Sequence, residues 1–266
     1  MNPLDVEVLM LDPLPLLVLM TALGLLLGSF LNVCIVRWPA EQSVVRPRSR
    51  CPQCEAPIAW FDNVPVVSWL LLRGRCRHCG KAIPWRYPAV ELATGLIWLW
   101  AAWQYGASVE MVRAGLFFTI LLGIAMTDAR EYIIPDEFSV GGAVLGVVFA
   151  FAGGALGWVD ALVGAAVGYA LLWLIAVAGT RAFGQDAMGG GDIKMMAMVG
   201  AFLGWTGVLL TLFLGALLGT LIFLPLRLAG KDALVPFGIF LALGAAATWL
   251  AGPELIAWYR GAILGG

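Results

Sequence analysis

Charged residues are scarce in this sequence. Asp, Glu, Lys and Arg together make up 12% of the 266 residues, about half the roughly 25% usual in soluble domains, whereas 61% are hydrophobic. A soluble chain of this length cannot bury so much apolar side chain in a single core, so the composition excludes a soluble globular protein. The net charge of −1 argues against nucleic acid as a partner.

The apolar runs also lack the two-residue alternation of a membrane β-barrel. They are continuous, and several are long enough to cross a bilayer as helices. The sequence therefore predicts an all-α polytopic protein that lies in the lipid bilayer. We predict about eight transmembrane helices, at residues 14–36, 90–103, 109–127, 139–151, 159–179, 193–203, 207–226 and 236–251. The sixth is short and is a candidate for a partly re-entrant segment.

No lysine or arginine precedes Arg37. Because a cleaved signal needs a basic start, we expect the first helix to be retained, with its N-terminus outside. Nine of the sixteen basic residues fall in residues 37–89, which predicts a cytoplasmic location for this polar insert. The expected domains are a first transmembrane segment (residues 1–36), the cytoplasmic insert (37–89) and a seven-helix membrane domain (90–266).

Four of the five cysteines form two Cys-x2-Cys pairs separated by 21 residues. Each pair places two thiolates on one tight turn, and two such turns complete a tetrahedral zinc site. A site closed by four thiolates has no open position, so the zinc is predicted to be structural. The reducing cytoplasm argues against disulfides. The expected ligands are Cys51, Cys54, Cys76 and Cys79, and His78 is expected to be an exposed bystander.

Two aspartates stand at predicted membrane boundaries. Asp128 ends the third predicted helix and Asp192 directly precedes the sixth, so the topology puts both on the cytoplasmic side. A charged carboxylate at a membrane boundary costs free energy, so its presence there requires an explanation. Two close carboxyl groups share one proton, and an aspartyl protease uses such a pair. One carboxylate takes a proton from the attacking water, and the other carboxyl donates to the peptide carbonyl.

The residues alone leave two interpretations of these aspartates open. In the first interpretation both residues are catalytic. In the second, which is equally well supported, Asp128 is an ordinary loop carboxylate and Asp192 caps the N-terminus of a helix. In the catalytic interpretation, flanking glycines would let a substrate backbone approach Asp192 without obstruction by side chains. The expected supporting residues, for substrate approach or charge, are Gly189, Gly190, Gly191, Lys194 and Asp136.

Motifs along nearly the whole chain resemble those of the type IV prepilin peptidase family, also called prepilin leader peptidase/N-methyltransferase. One departure is Ile239, in residues 236–241, where a second proline is expected. The motifs that carry the resemblance occur in the family's order at residues 28–39, 49–54, 60–65, 68–79, 86–92, 127–128, 134–136 and 189–194.

The resemblance implies a function. Members of this family remove a short basic leader from prepilins and pseudopilins, after a glycine at the cytoplasmic face of the bacterial inner membrane, so Asp128 and Asp192 are expected to be catalytic. Many members then methylate the new N-terminal residue with S-adenosylmethionine, and the long cysteine-bearing insert is typical of them. No dinucleotide-type fingerprint for the methyl donor is visible. Matched polar positions that could bind substrate or cofactor are Asn32, Arg37, Asp62, Asn63 and Glu91.

Two alternatives compete with this interpretation. A presenilin-like intramembrane protease shares the glycine-flanked aspartate, but the cysteine-bearing insert argues against it. A proton- or cation-coupled transporter would use the aspartates as ion sites. Transporters of that kind show internal repeats with interrupted helices near the middle of the membrane, and this sequence shows no such repeat.

Overall fold

The computed structural model describes residues 13–186, 188–228 and 236–263, and in these ranges the regular structure is helical. This confirms the predicted all-α class. A short 3-10 turn, Trp60–Asn63, lies in the insert. The α-helices of the described ranges are α1 Leu14–Arg37, α2 Val67–Leu71, α3 Arg86–Tyr105, α4 Val109–Glu131, α5 Asp136–Phe151, α6 Trp158–Phe183, α7 Gly190–Leu228 and α8 Phe237–Ile263.

Five of these helices are long and apolar enough to cross a membrane, namely α1, α4, α6, α7 and α8. The sixth and seventh predicted spans both lie within α7, which is interrupted at Gly204, where φ is 71° and ψ is 179°. The second and fourth predicted spans coincide with α3 and α5. The count of eight spans therefore stays a prediction, whereas the multi-pass helical architecture is confirmed.

The chain folds as two compact units. The first unit runs to Arg37 and resumes at Ser43–Gly115, and it contains the cysteine-bearing insert. The second contains Trp38–Gln42 and the residues from Leu116 onward, with both aspartates of interest. The predicted domain boundaries at residues 36 and 89 concern membrane topology, and they stay predictions.

In the first unit, α1 and α3 approach closely because glycine lines one side of the contact. A Cβ atom added at Gly24 would lie 2.8 Å from the carbonyl oxygen of Thr94, and one at Gly28 would lie 2.7 Å from the Cα of Glu91. Small residues at such spacing let two helix backbones meet. The contact brings Asn32, near the end of α1, within hydrogen-bond distance of the start of α3, where its Nδ2 donates to the Tyr87 carbonyl at 3.0 Å.

In the second unit, an aromatic cluster joins the helices that carry the site. Phe117 of α4 packs against Phe202 of α7 and Trp249 of α8, with ring centroids 4.7 and 5.1 Å away. Phe117 and Phe202 are fully buried. Well-packed buried rings fix the helices that carry them. The cluster therefore holds α4, α7 and α8 together, and these helices supply Asp128, Asp192 and the backbone groups near Asp128.

Candidate active site and metal centre

Asp128 lies in the last turn of α4 and is only 5% exposed. Its Oδ2 accepts a hydrogen bond of 3.0 Å from the backbone N–H of Ile239, in the first turn of α8. The first N–H groups of any helix lack partners within that helix, so they are available to a carboxylate. The start of α8 therefore fixes the orientation of the Asp128 side chain.

Asp192 lies in the first turn of α7, which begins at Gly190. Its Oδ1 is buried and has no hydrogen-bond partner among the described residues. Ile134 lies against both Gly191, the neighbour of Asp192, and Gly238, beside the Asp128 carboxyl group, so the two aspartates lie near each other, within range of mutual charge repulsion. The structure thus brings together the two aspartates that the sequence singles out, from helices that lie more than fifty residues apart in the chain.

The three glycines before Asp192 have different surroundings. A Cβ added at Gly190 would meet nothing within 4 Å, so this position is open. A Cβ at Gly191 would lie 2.9 Å from the Cβ of Ile134, and one at Gly189 would lie 3.3 Å from an Asp192 oxygen. Open space is therefore found at Gly190, whereas Gly191 allows α7 to pack against the chain's own Ile134, and the approach of a substrate at these glycines stays a prediction.

Lys194 and Asp136 form an ion pair with each other. The Lys194 Nζ lies 2.7 and 2.8 Å from the two Asp136 carboxylate oxygens, and both side chains are exposed. Asp136 begins α5, and Lys194 lies in the second turn of α7. The pair ties together the starts of two helices beside Asp192. A supporting role for both residues remains a prediction.

Sequence reasoning missed Gly238 and Ile239 as parts of this site. In the sequence, residues 236–241 differ from the expected pattern by the isoleucine that stands in place of a proline. That replacement matters chemically, because proline has no N–H to donate and isoleucine does. Ile239 was the available signal, because it differs from the expected proline. The sequence could not show its partner, since Asp128 lies 111 positions away in the chain.

The four paired cysteines converge in the insert. Their Sγ atoms all lie within 4.8 Å of one another, and those of Cys51 and Cys79 are 3.9 Å apart. A tetrahedral zinc with bonds of about 2.3 Å places its sulfur ligands about 3.8 Å apart, so the cluster fits zinc. A disulfide needs about 2.05 Å between its sulfurs, so this separation is too long for one.

The two cysteine turns have the same backbone design. The N–H of Cys51 donates to the Ala56 carbonyl, and the N–H of Cys76 donates to the Lys81 carbonyl, each at the same offset. Bridges between Arg50 and Pro57 and between Arg75 and Ala82 close the two turns. Backbone N–H groups of Cys79 and His78 lower the pKa of Cys76 to about 6, which favours the thiolate that binds metal.

The five polar residues predicted to bind substrate or cofactor gather around one cavity of the first unit. The cavity has a volume of about 290 Å³, and Cys51 and Cys76 also line it. Near it, Arg77 binds Asp62 through two hydrogen bonds of 2.6 and 2.7 Å, and this guanidinium lowers the pKa of Asp62. The predicted residues in the lining are Asn32, Arg37, Asp62, Asn63 and Glu91.

These features define a multi-pass helical membrane protein that carries two neighbouring aspartates, one buried and one half-buried, and a four-cysteine cluster. The family model of the Bacterial Peptidase A24 N-terminal domain matches residues 22–105, and that of the Type IV leader peptidase family matches residues 115–224. Relatives extend the similarity over nearly the full length. The chain belongs to the type IV leader peptidase family, as its motifs indicate.

The relatives carry the name prepilin leader peptidase/N-methyltransferase. The protein of Stutzerimonas stutzeri is 36% identical over 96% of this chain and 97% of its own length. The protein of Pseudomonas putida is 35% identical over 94% of this chain and 95% of its own length. The protein of Myxococcus xanthus is 42% identical over 80% of this chain, which spans 63% of that longer protein. No solved structure matches the chain.

Proposed function

We propose that this protein is an aspartyl endopeptidase of the bacterial inner membrane that removes the leaders of type IV prepilins and pseudopilins at the cytoplasmic face. The observation that carries the proposal is the pair of Asp128 and Asp192. Asp128 is buried and held by the start of α8, whereas Asp192 is half-buried and its Oδ1 has no hydrogen-bond partner among the described residues. The names of its relatives support the substrate class.

The pair supplies both the base and the acid of peptide hydrolysis. Two adjacent carboxyl groups share one proton, because both cannot ionise easily. The ionised member takes a proton from water as the water attacks the scissile carbonyl carbon, and the protonated member donates its proton to the carbonyl oxygen. The Ile239 N–H orients Asp128 for this exchange, and the open side of Gly190 admits the substrate backbone.

The second activity we propose is methylation of the new N-terminal amine after cleavage. When bound, S-adenosylmethionine would supply the methyl group: a C–N bond forms as the S–CH3 bond breaks, S-adenosylhomocysteine leaves, and the nitrogen loses a proton. The cavity of the first unit offers polar groups of both charges to such a ligand, including Arg37 and Glu91. Zinc held by the four cysteines would fix the turns that carry part of this lining.

The peptidase is tested by isosteric substitution of each aspartate. Asp128→Asn and Asp192→Asn keep the shape of the side chain but remove the shared proton, so each is expected to lower the rate of leader removal by about 10²-fold to 10⁴-fold. The measurement is the mass of a prepilin incubated with purified protein in lipid nanodiscs. Asp160→Asn, an exposed aspartate at the start of α6, is the matched control and should cleave normally.

The same assay separates the alternatives. Full activity of either aspartate variant would overturn the dyad. Products cut inside the hydrophobic segment of the prepilin would indicate a presenilin-like protease instead. With S-adenosylmethionine added, wild type should yield a second product heavier by one CH2 group, and its absence would remove the methyltransferase activity from the proposal.

A further inference from the structure

The short helix α2 of the insert has an apolar face that the described part of the chain leaves uncovered. Three of its five side chains are between 51% and 79% exposed, namely Val67, Leu70 and Leu71. Residues three and four positions apart share one side of a helix, so these three form a single surface, called the α2 face below. Ser68, on the other side of the helix, is buried. An exposed apolar surface of this kind marks a site of interaction.

The start of α2 lies alongside the long helices α1 and α3. The Val66 N–H donates a hydrogen bond of 2.7 Å to the Oε2 of Glu91, which is the sixth residue of α3. Glu91 in turn packs against α1, where a Cβ atom added at Gly28 would lie 2.7 Å from its Cα. Gly28 comes nine residues before the end of α1 at Arg37, about 14 Å along the helix axis. The α2 face is therefore held at the level of the apolar helix α1 rather than beyond its end.

Several bonds fix α2 in this place. Val66 has φ of 60° and ψ of −49°, which is rare for a β-branched residue, and such strain persists only where the surrounding structure imposes it. The Ser68 hydroxyl donates to the Phe61 carbonyl at 2.8 Å, and the Trp69 Nε1 donates to the Ile83 carbonyl at 3.1 Å. The α2 face is therefore a fixed part of the fold and not a loosely held segment.

Exposed cations follow the α2 face along the chain. The N–H of Arg73 closes the end of α2 by donating to the Leu70 carbonyl at 3.0 Å, and Arg75 comes two residues later. Both side chains are exposed, and among the described residues neither forms an ion pair. Residues 37–89 contain nine basic and three acidic residues, a net charge of +6. This charge complements anionic phospholipid head groups, and it disfavours the basic leader of a prepilin.

A tryptophan marks the same level of the first unit. Trp85 directly precedes α3 and is largely exposed. Tryptophan is enriched where a protein meets the boundary between membrane and water. An apolar helix face bordered by arginine and tryptophan is typical of segments that lie in the headgroup layer of a bilayer.

From these observations we infer that α2 lies in the headgroup layer of the cytoplasmic leaflet, with its apolar face in lipid and with Arg73 and Arg75 on anionic phospholipids. The docking surface holds the insert, with its cysteine cluster, against the bilayer. The inference uses the predicted orientation of the insert toward the cytoplasm. It is independent of the proposed peptidase and methyltransferase activities, and neither is needed to test it.

A fluorophore on the α2 face measures its depth in the bilayer. Leu71→Cys is labelled with nitrobenzoxadiazole in zinc-loaded protein in nanodiscs, and wild type gives the labelling background of the native cysteines. The label is expected about 5–10 Å below the head groups, so a nitroxide on the lipid chains should quench it strongly and iodide in the water weakly. Asp186→Cys, at an exposed position between α6 and α7, is the control and should show the reverse.

Hydrogen exchange of unlabelled protein tests the charge of the lipid. The amides of residues 60–72 in wild type are expected to exchange more slowly in nanodiscs with phosphatidylglycerol than in phosphatidylcholine alone. One arginine near an anionic surface changes binding by about fivefold, so Arg73→Gln should reduce this slowing about fivefold. Lys81→Gln removes the same charge from the second cysteine turn, where the Lys81 Nζ lies 3.3 Å from the Gln53 Oε1, and it should behave as wild type. Equal zinc content shows that both variants are folded.

Three results would overturn the inference. Iodide quenching of the label at residue 71 as strong as that at residue 186 would place the α2 face in water. Equal exchange of wild type in both lipids would remove the anionic partner. Shielding of the label that occurs only after prepilin is added would assign the face to the hydrophobic segment of the substrate. Loss of leader removal in the same preparation would bear on the proposed peptidase alone.

Discussion

The carboxyl group of Asp128 meets the start of α8 across a separation of 111 residues. The sequence identified Asp128 and Asp192 as unusual carboxylates, because charge at a membrane boundary is rare. It could not identify the N–H group that orients Asp128, since that contact depends on how α4 and α8 pack. Glu91 is a similar case. The motifs marked it as a candidate binding residue, but only the fold shows that it is buried and accepts a hydrogen bond from Val66.

Gly238 allows this contact to exist. A Cβ atom added there would lie 2.9 Å from the Asp128 Oδ2 and 2.8 Å from the Ile134 Cδ1. Gly238→Ala is therefore expected to displace the Asp128 carboxyl group and to lower the rate of leader removal by about 10-fold to 100-fold. The rate is measured on purified protein with equal zinc content.

Gly141→Ala is the matched control for this prediction. Gly141 also lies in a helix, but a Cβ atom added there would meet nothing within 4 Å. Its cleavage rate should equal that of wild type. A normal rate in Gly238→Ala would mean that the first turn of α8 has no part in positioning Asp128.

The insert consists of two equivalent cysteine turns with little regular structure. Only α2, five residues long, and the turn Trp60–Asn63 are helical between α1 and α3. The spacing of the cysteines predicted the cluster because ligand spacing is a local property. The matching backbone bonds at Cys51 and Cys76 could not be predicted, since they require both turns to adopt one conformation.

The metal is expected to be necessary for the fold of the insert. Cys51→Ser or Cys76→Ser removes one thiolate, so zinc per chain should fall to near zero and amide hydrogen exchange in the insert should rise. Metal analysis and exchange mass spectrometry measure these two effects. Cys34→Ser, which changes a buried cysteine of α1 outside the cluster, is the control and should keep its zinc. Undiminished zinc in the ligand variants would refute the four-thiolate site.

For the whole molecule, composition and continuous apolar runs were enough to predict a helical membrane protein, because both follow from the need to satisfy backbone groups in lipid. The number of crossings was harder to predict. Two predicted spans are the two parts of α7, which meet at the non-helical Gly204, and α8 continues to Ile263 beyond its predicted end at residue 251, through Pro253. Helix ends in lipid depend on packing partners that a hydropathy pattern does not contain.

The distribution of basic residues predicts the orientation of the protein across the membrane, and chemical labelling can test it. The predicted topology places the turn between α3 and α4 outside the cell membrane and the turn between α6 and α7 in the cytoplasm. A membrane-impermeant maleimide should therefore label Ala107→Cys in intact spheroplasts, and Asp186→Cys only after the membrane is permeabilised. Both positions are exposed. The reverse pattern would invert the topology and place the aspartate pair on the wrong face for prepilin leaders.

The interruption of α7 at Gly204 has a consequence for the surrounding lipid. The part of α7 that carries Asp192, residues 190–203, is about 21 Å long at 1.5 Å per residue, whereas the hydrocarbon layer is about 30 Å thick. Hydrophobic mismatch of this size is relieved by local thinning of the bilayer or by tilting of the helix. Acyl-chain length therefore becomes a variable of the enzyme, and thicker bilayers should draw Asp192 away from the surrounding water.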